Sequence, residues 1–486
     1  MKNTFRSLIL ILLLGSLVVS CLSTQSKDSN QSPTSSARIG FNPGDPTSTP
    51  PGSEISDTDF QVGVQAYRDK DFEKVRELME KVAARYPQLA PPHWYLGRAY
   101  YESGNYEMAM EQMEKALFID PNYALAYADR GLIYSVLGDD EAALTDYQRA
   151  LNLDPSLAKV RHNLGFYYFE QGKWELAYKE YDIAIHIDPN RYVTWGARGD
   201  VLSTLGRYSE CVASADTAIS INNEYWPAYL VRSLCYAESG DAQAAFSDIS
   251  VVTSNNPEDS SIMAQSCFIA QKINFSDEAI EFCTQSILLT PDDFKSYINR
   301  GNVYFNKGEY DKALEDFTKA LEFGEAPAAY FNRGNVYMKT YKFNEAIEDY
   351  QHSLDLLPRG KVYYALGFAY LQINEFKNAS LAFEQGDTLE PWLISDEIRL
   401  YGKARAYFGL EQLETALELC TELIEKYQNG EAYYFRARTY EELESYAEAI
   451  QDYNTFIEMA NGKLEDSYIQ MLANDANNRR AELISK

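Results

Sequence analysis

The chain has 486 residues, more than one ordinary core accommodates, so several domains or a repeat array are expected. Its formal net charge of −28 argues against nucleic acid or an anionic membrane surface as the main partner, because both repel a surface of that sign. Tyrosine, at 38 residues, is abundant enough to need a structural account.

Residues 1–20 read as an export signal. Lys2 and Arg6 form a short positive region, Leu8 to Leu14 an apolar stretch, and Val18-Val19-Ser20 a small-residue end before Cys21. This ending resembles the lipobox of bacterial lipoproteins, with Val18 where leucine is usual. The resemblance implies that the Cys21 thiol is acylated and becomes the mature N-terminus. Under Gram-negative sorting rules, Leu22 after it, rather than aspartate, implies an outer-membrane rather than a periplasmic-face anchor. Residues 21–55 are rich in Ser, Thr, Pro, Asn and Gly and cannot bury enough apolar surface to fold, so they read as a disordered tether. As a flexible coil such a tether reaches roughly 30 Å.

From residue 56 the chain repeats itself. Gly97, Gly131, Gly165 and Gly199 stand 34 residues apart, and Gly301, Gly334 and Gly367 continue at 33, with Ser233 and Cys267 holding the place between. A Tyr follows three residues on in most units, an Ala twelve residues on, and a Pro closes many of them. Apolar residues spaced three and four apart make two amphipathic helices per unit. Gly and Ala allow those helices close approach, large rings fill the space beside them, and Pro stops the second helix. Twelve units are expected, beginning at 56, 90, 124, 158, 192, 226, 260, 294, 327, 360, 397 and 430 and ending at 463. A short insertion near Leu393 predicts a kink. Residues 464–486, with Leu464, Tyr468, Met471 and Leu472 on one side, read as a capping helix.

This skeleton resembles the tetratricopeptide repeat (TPR), whose signature is a 34-residue helix pair. The resemblance implies an all-α fold, a right-handed α-solenoid, and a concave groove lined by the first helix of each unit that holds an extended peptide or a partner helix.

Nothing in the chain points to catalysis, a metal or a cofactor. The four histidines, His93, His162, His186 and His352, lack metal-ligand spacing, and there is no HExxH, Cys-x-x-Cys or Gly-rich phosphate loop. Cys211, Cys267, Cys283 and Cys420 occupy skeleton positions otherwise held by Gly, Ala or an aromatic, which suits small buried side chains. Cys267 and Cys283 fall at facing positions of one unit and could be bridged in an exported protein; Cys211–Cys235 is the weaker pairing.

Arg130, Arg198, Arg232, Arg300, Arg333 and Arg436 each precede the glycine position, and Asp146, Ser214, Asp248, Asp316, Asp349 and Asp452 follow sixteen residues later. Where leucine replaces the arginine (Leu96, Leu164, Leu366), the later residue is Gln112, Glu180 or Ala382. The co-occurrence predicts a half-buried bidentate Arg–Asp bridge inside each unit, with Arg198 as the exception.

For binding, Asn299 and Asn302 flank Arg300-Gly301, and Asn332 and Asn335 flank Arg333-Gly334. Residues three apart share a helix face, and an amide offers both donor and acceptor to a peptide backbone. Asn163 holds the same place in an earlier unit. The order Asn302, Asn332, Lys361 resembles part of the carboxylate clamp of some TPR proteins, but Ile298 and Ala365 stand where its other cations belong; Lys295 and Lys339 are the substitutes nearby. Trp94, Tyr95, Tyr101, Phe166, Phe169, Tyr364 and Phe368 are candidate groove aromatics. The expected function is a lipid-anchored scaffold for proteins or peptides, touching membrane only through its anchor. The resemblance also implies an alternative, an assembly factor for a pilus or for outer-membrane proteins.

Overall fold

The computed structural model describes Gly52 and residues 54–390, 395–460 and 467–485. Residues 1–20, Cys21 and nearly all of the tether lie outside these residues, as do Leu393 and Leu464. The described residues fall into two compact units, one ending at Pro257 and one beginning at Glu258.

The first unit holds six helix pairs. They are α1 (Thr58–Arg68) with α2 (Phe72–Arg85), α3 (Ala90–Glu102) with α4 (Tyr106–Ile119), and α5 (Ala124–Leu137) with α6 (Asp140–Leu153). Then follow α7 (Ala158–Glu170) with α8 (Trp174–Ile187), α9 (Tyr192–Thr204) with α10 (Tyr208–Ile221), and α11 (Trp226–Ser239) with α12 (Ala242–Asn255).

The second unit holds six more pairs and a final helix. They are α13 (Ser260–Lys272) with α14 (Ser276–Leu289), α15 (Phe294–Asn306) with α16 (Tyr310–Phe323), and α17 (Pro327–Lys339) with α18 (Phe343–Leu356). Next come α19 (Gly360–Gln372) with α20 (Phe376–Leu389), α21 (Asp396–Gly409) with α22 (Leu413–Tyr427), and α23 (Gly430–Glu442) with α24 (Tyr446–Ala460). The last is α25 (Ser467–Ser485). All regular structure among the described residues is helical, and each unit is a stack of helix pairs, the all-α solenoid arrangement.

The turn inside each pair explains one conserved spacing. Gly308 there has φ +77°, and the same place in other repeats is left-handed even where the residue is not glycine, as at Tyr341 (φ 63°) and Glu444 (φ 58°). The next residue then caps the second helix: the side chains of Asp71, Asn105, Asp139 and Asp241 each accept from a first-turn amide. The residue before the closing proline is extended, as at Asp120 and Asp154, which ends the second helix.

Inside a pair, the alanine twelve residues after the glycine position is buried, and the glycine meets an aromatic ring. A Cβ on Gly334 would stand 2.7 Å from the Tyr350 ring, and one on Gly301 would stand 2.8 Å from the Phe317 ring. That distance is too short for any side-chain carbon, so these helices pack at glycine contact. Tyr147, Tyr181 and Tyr350 fill this site in their repeats and are fully buried. Part of the tyrosine excess is thereby core.

The arginine before the glycine explains another part. Arg130 Nε and an Nη donate to the two Asp146 oxygens at 2.7 and 2.9 Å. The same forked geometry joins Arg232 to Asp248, Arg300 to Asp316, Arg333 to Asp349 and Arg436 to Asp452. The remaining Nη reaches the second helix of the preceding repeat, at Asp216, Thr284, Thr318 and Thr421. Tyrosine rings cover the guanidinium, at 5.5 and 5.9 Å for Tyr127 and Tyr134 around Arg130. One side chain thus fixes its own helix pair and its neighbour. Arg198 bonds Ser214 and takes its carboxylate from the preceding repeat, Asp182, at 3.3 Å.

The cysteines replace skeleton contacts. Cys267 and Cys283 form a disulfide at the place where other repeats put the glycine and the ring. Cys211–Cys235, the pairing ranked second on sequence, is also bonded and joins α10 to α11. Spacing ranks it below the other because it joins successive repeats, whose relative placement the spacing inside one repeat does not fix. Cys420 is free and buried.

Candidate peptide-binding face

Three successive first helices, α15, α17 and α19, carry the candidate residues. Asn302 on α15 and Asn332 on α17 meet: Asn332 Nδ2 donates to Asn302 Oδ1 at 2.8 Å, joining neighbouring repeats through a neutral amide pair. Asn302 is half-buried and Asn332 is 9% exposed, so the pair lies at the edge of solvent. Asn299, one turn earlier on α15, is also half-buried.

Asn335 departs from the expectation. It is 1% exposed, and its Oδ1 accepts from Tyr350 Oη at 2.8 Å, inside its own repeat. The closely packed Gly334 brings that ring against α17, and the neighbouring amide is spent on the hydroxyl. Asn335 is a packing residue.

The lysines are dispersed along the face. Lys361 Nζ stands 5.2 Å from the centre of the Phe331 ring on α17, a cation–π contact between repeats. Lys339, in the last turn of α17, is half-buried, and that desolvation pulls its ammonium below the ordinary lysine range. Lys295 lies in the first turn of α15, half-buried, with its backbone amide capped by Asp293. Ala365, at the place of a clamp cation, is buried.

Several proposed groove aromatics belong to the core instead. Trp94, Tyr95, Tyr364 and Phe368 are at most 3% exposed, because the helices approach closely enough to enclose them. Tyr101, Phe166 and Phe169 remain half-buried.

Two arrangements on first helices were not anticipated. In the first unit, Arg98 Nη donates to Asp129 at 3.2 Å, Trp94 Nε1 donates to the other Asp129 oxygen at 2.7 Å, and Arg98 also bonds Tyr67 and Glu102. Arg98 is fully buried, and burial raises the Asp129 carboxyl while Arg98 opposes the shift. Arg98 and Asp129 occupy the repeat positions of Asn302 and Asn332, so the register alone marks the correspondence. In the second unit, the corresponding faces of α21 and α23 are covered by α25. Among the described residues there is no His, Cys, Asp and Glu group fit to hold a metal, and no helix long and apolar enough to cross a membrane.

Models of the tetratricopeptide repeat match residues 97–138, 136–170, 192–225, 294–323, 327–359, 360–391 and 401–463. Together these span more than half of the chain, which belongs to the tetratricopeptide-repeat family. Human tetratricopeptide repeat protein 13 is 27% identical over 130 residues, which make up 26% of this chain and only 15% of that protein. Among solved structures, the chain is similar to the APC/C hetero-tetramer Cut9–Hcn1 (14% identity, 87% of this chain and 97% of that one, TM-score 0.43). It is also similar to a tetratricopeptide repeat protein from Parabacteroides merdae (18% identity, 51% and 98%, TM-score 0.43). A third is PilF of Pseudomonas aeruginosa (21% identity, 43% and 94%, TM-score 0.38). The repeat fold is that of a protein-interaction scaffold.

Proposed function

We propose that this chain is an exported, lipid-anchored scaffold that binds extended peptide segments of partner proteins along α15, α17 and α19. One observation carries the reading: the first-helix position that holds a buried ion pair in one place, Arg98–Asp129, holds a neutral, solvent-edge amide pair in another, Asn302–Asn332. The ion pair is committed to structure. An amide pair exchanges its hydrogen bonds with a peptide backbone at little cost, since each amide keeps a donor and an acceptor. Asn299 lies one turn from Asn302, and Lys295, Lys339 and Lys361, on the same three helices, favour an acidic segment or a chain terminus.

The compartment is part of the proposal. Two disulfides suit an oxidising environment, and residues 1–21 have the order of a lipoprotein signal. Cys21 would carry the lipid and residues 22–55 would hold the repeats off the membrane.

The test is a peptide-display selection on the full chain against the Asn302→Ala/Asn332→Ala/Lys361→Ala variant. Selected peptides are expected to share a motif that the variant loses while keeping its helicity. If both proteins select the same peptides, or neither selects any, the amide pair is structural and the proposal fails. Metabolic labelling with a fatty acid, lost in Cys21→Ser, tests the anchor separately.

A further inference from the structure

The disulfide inside the pair α13–α14 lies beside the first helix of the candidate peptide-binding face. Cys283 is followed on α14 by Thr284, whose hydroxyl accepts from an Arg300 Nη on α15 at 3.1 Å. Two residues further, the Ser286 hydroxyl stands 2.8 Å from that of Ser296 on α15, and both serines are fully buried. Arg300 in turn stands between Asn299 and Asn302. Both α13 and α14 pack on α15, so this pair supports the face from one side while α16 and α17 support it from the other.

The supporting pair is fastened differently from the pair it supports. In α15–α16 the Phe317 ring packs on Gly301 and Arg300 forks onto Asp316. In α13–α14 the corresponding residues are Cys283 and Cys267, and Ser266 and Phe282. The disulfide fills the first of these places, and the second holds no ion pair. Ser266 is fully buried, and its hydroxyl has no hydrogen-bond partner among the described residues. Such a hydroxyl regains a partner in water when the helices part, which favours opening. Cys267 and Cys283 are themselves fully buried, so a thiolate reaches the bond only when the pair opens locally.

We propose that the Cys267–Cys283 bond is a redox control on the peptide-binding face. Closed, it holds α14 in place and α14 holds α15. A dithiol reductant opens it in two exchanges. One thiolate attacks a cystine sulfur, forming a mixed disulfide and releasing the other cysteine; the second thiolate then displaces the remaining cysteine. The reductant leaves as its own disulfide, and two electrons and two protons pass to Cys267 and Cys283. Without the bond, α13–α14 keeps neither a covalent tie nor an Arg–Asp fork, and α15 loses its support on that side. The two-state element is this helix pair, and a solenoid confines its opening to the neighbouring helices. The inference rests on α15, α17 and α19 forming the binding face, but on cysteines separate from the amide pair.

The experiment compares the full-length protein before and after dithiothreitol, with alkylation and mass spectrometry confirming that Cys267 and Cys283 are reduced. Hydrogen exchange is expected to show protection falling at least tenfold in α13 and α14 and at least threefold in α15, with α19 to α24 unchanged. Reoxidation should restore it. In Cys267→Gly/Cys283→Phe, where a glycine–ring contact replaces the bond, the response of α13 to α15 should disappear. Should that variant not fold, Cys211→Ala/Cys235→Ala isolates the same bond, and the response should persist in it. A bond that dithiothreitol leaves intact in the native protein would overturn the proposal. So would complete reduction with unchanged protection of α13 to α15, or an equal loss in every helix. A peptide from the display selection should bind at least threefold more weakly after reduction, and unchanged affinity would also overturn the control. If no peptide is selected, the peptide-face reading fails by itself, while the exchange of α15 still decides whether the bond governs that helix.

Discussion

Replacing Cys267 and Cys283 together by alanine removes a bond that closes sixteen residues within one repeat. The loop-closure relation puts the constraint on the unfolded chain at about 3 kcal/mol for a loop of that size, and truncating two fully buried sulfurs adds to the loss. The repeat around it has little to compensate with, because the bond stands where neighbouring repeats pack a ring on a glycine, as Phe317 on Gly301. In a solenoid the loss should stay local, weakening α13 and α14 and their interface with α15 far more than α19 to α24. Hydrogen exchange under mild denaturant measures this helix by helix, with roughly a hundredfold loss of protection expected in α13 and α14. The variant Cys267→Gly/Cys283→Phe, which writes the standard contact into this repeat, should recover part of that loss. Unchanged protection of α13 and α14 in the alanine variant would refute the reasoning, and so would a uniform loss across every repeat.

Four further outcomes are expected. Gly334→Ala should cost between about 0 and 2 kcal/mol by chemical denaturation, since overpacking against Tyr350 costs about 1–3 kcal/mol and helix propensity returns about 1. Glu444→Gly, at an exposed left-handed turn position, should gain about 0.5–1 kcal/mol: relieving the left-handed conformation is worth about 1–2 kcal/mol, and the extra freedom of the unfolded glycine takes back about 0.5–1. Asp316→Asn should cost about 2 kcal/mol, because the half-buried Arg300 keeps its charge and loses its forked partner. His162 is fully buried against Thr194, and burial, assisted by Arg191, lowers its pKa from 6.5 to about 3. Between those values the unfolded chain binds the extra proton, so stability should fall on acidification from pH 6.5 toward 3, by at most about 1.4 kcal/mol per pH unit. His162→Gln should flatten that slope in a pH series of thermal melts; Asp129, whose carboxyl is raised, contributes the opposite slope above pH 3.8.

How much was legible depended on whether a contact lies within one repeat or between repeats. The helix pairs, the glycine–ring contacts and the Arg–Asp offset of sixteen could be read from the chain, since the short turn holds two helices in one arrangement and the period repeats it. The candidate amides were legible as positions but not as environments. Asn332 and Asn335 are three apart on one helix, yet one meets Asn302 across repeats and the other is consumed by Tyr350.

The sequence by itself determined the twelve-fold repetition, the all-α class and the side chains that staple each helix pair, because those follow from spacing along one chain segment. Only the tertiary structure decided which first-helix positions close as a buried ion pair, which remain an amide pair, that Cys211 meets Cys235, and that α25 covers Tyr401 and Tyr434. Those contacts depend on how one repeat lies against others, a geometry set by the volumes packed at each interface and not by the period.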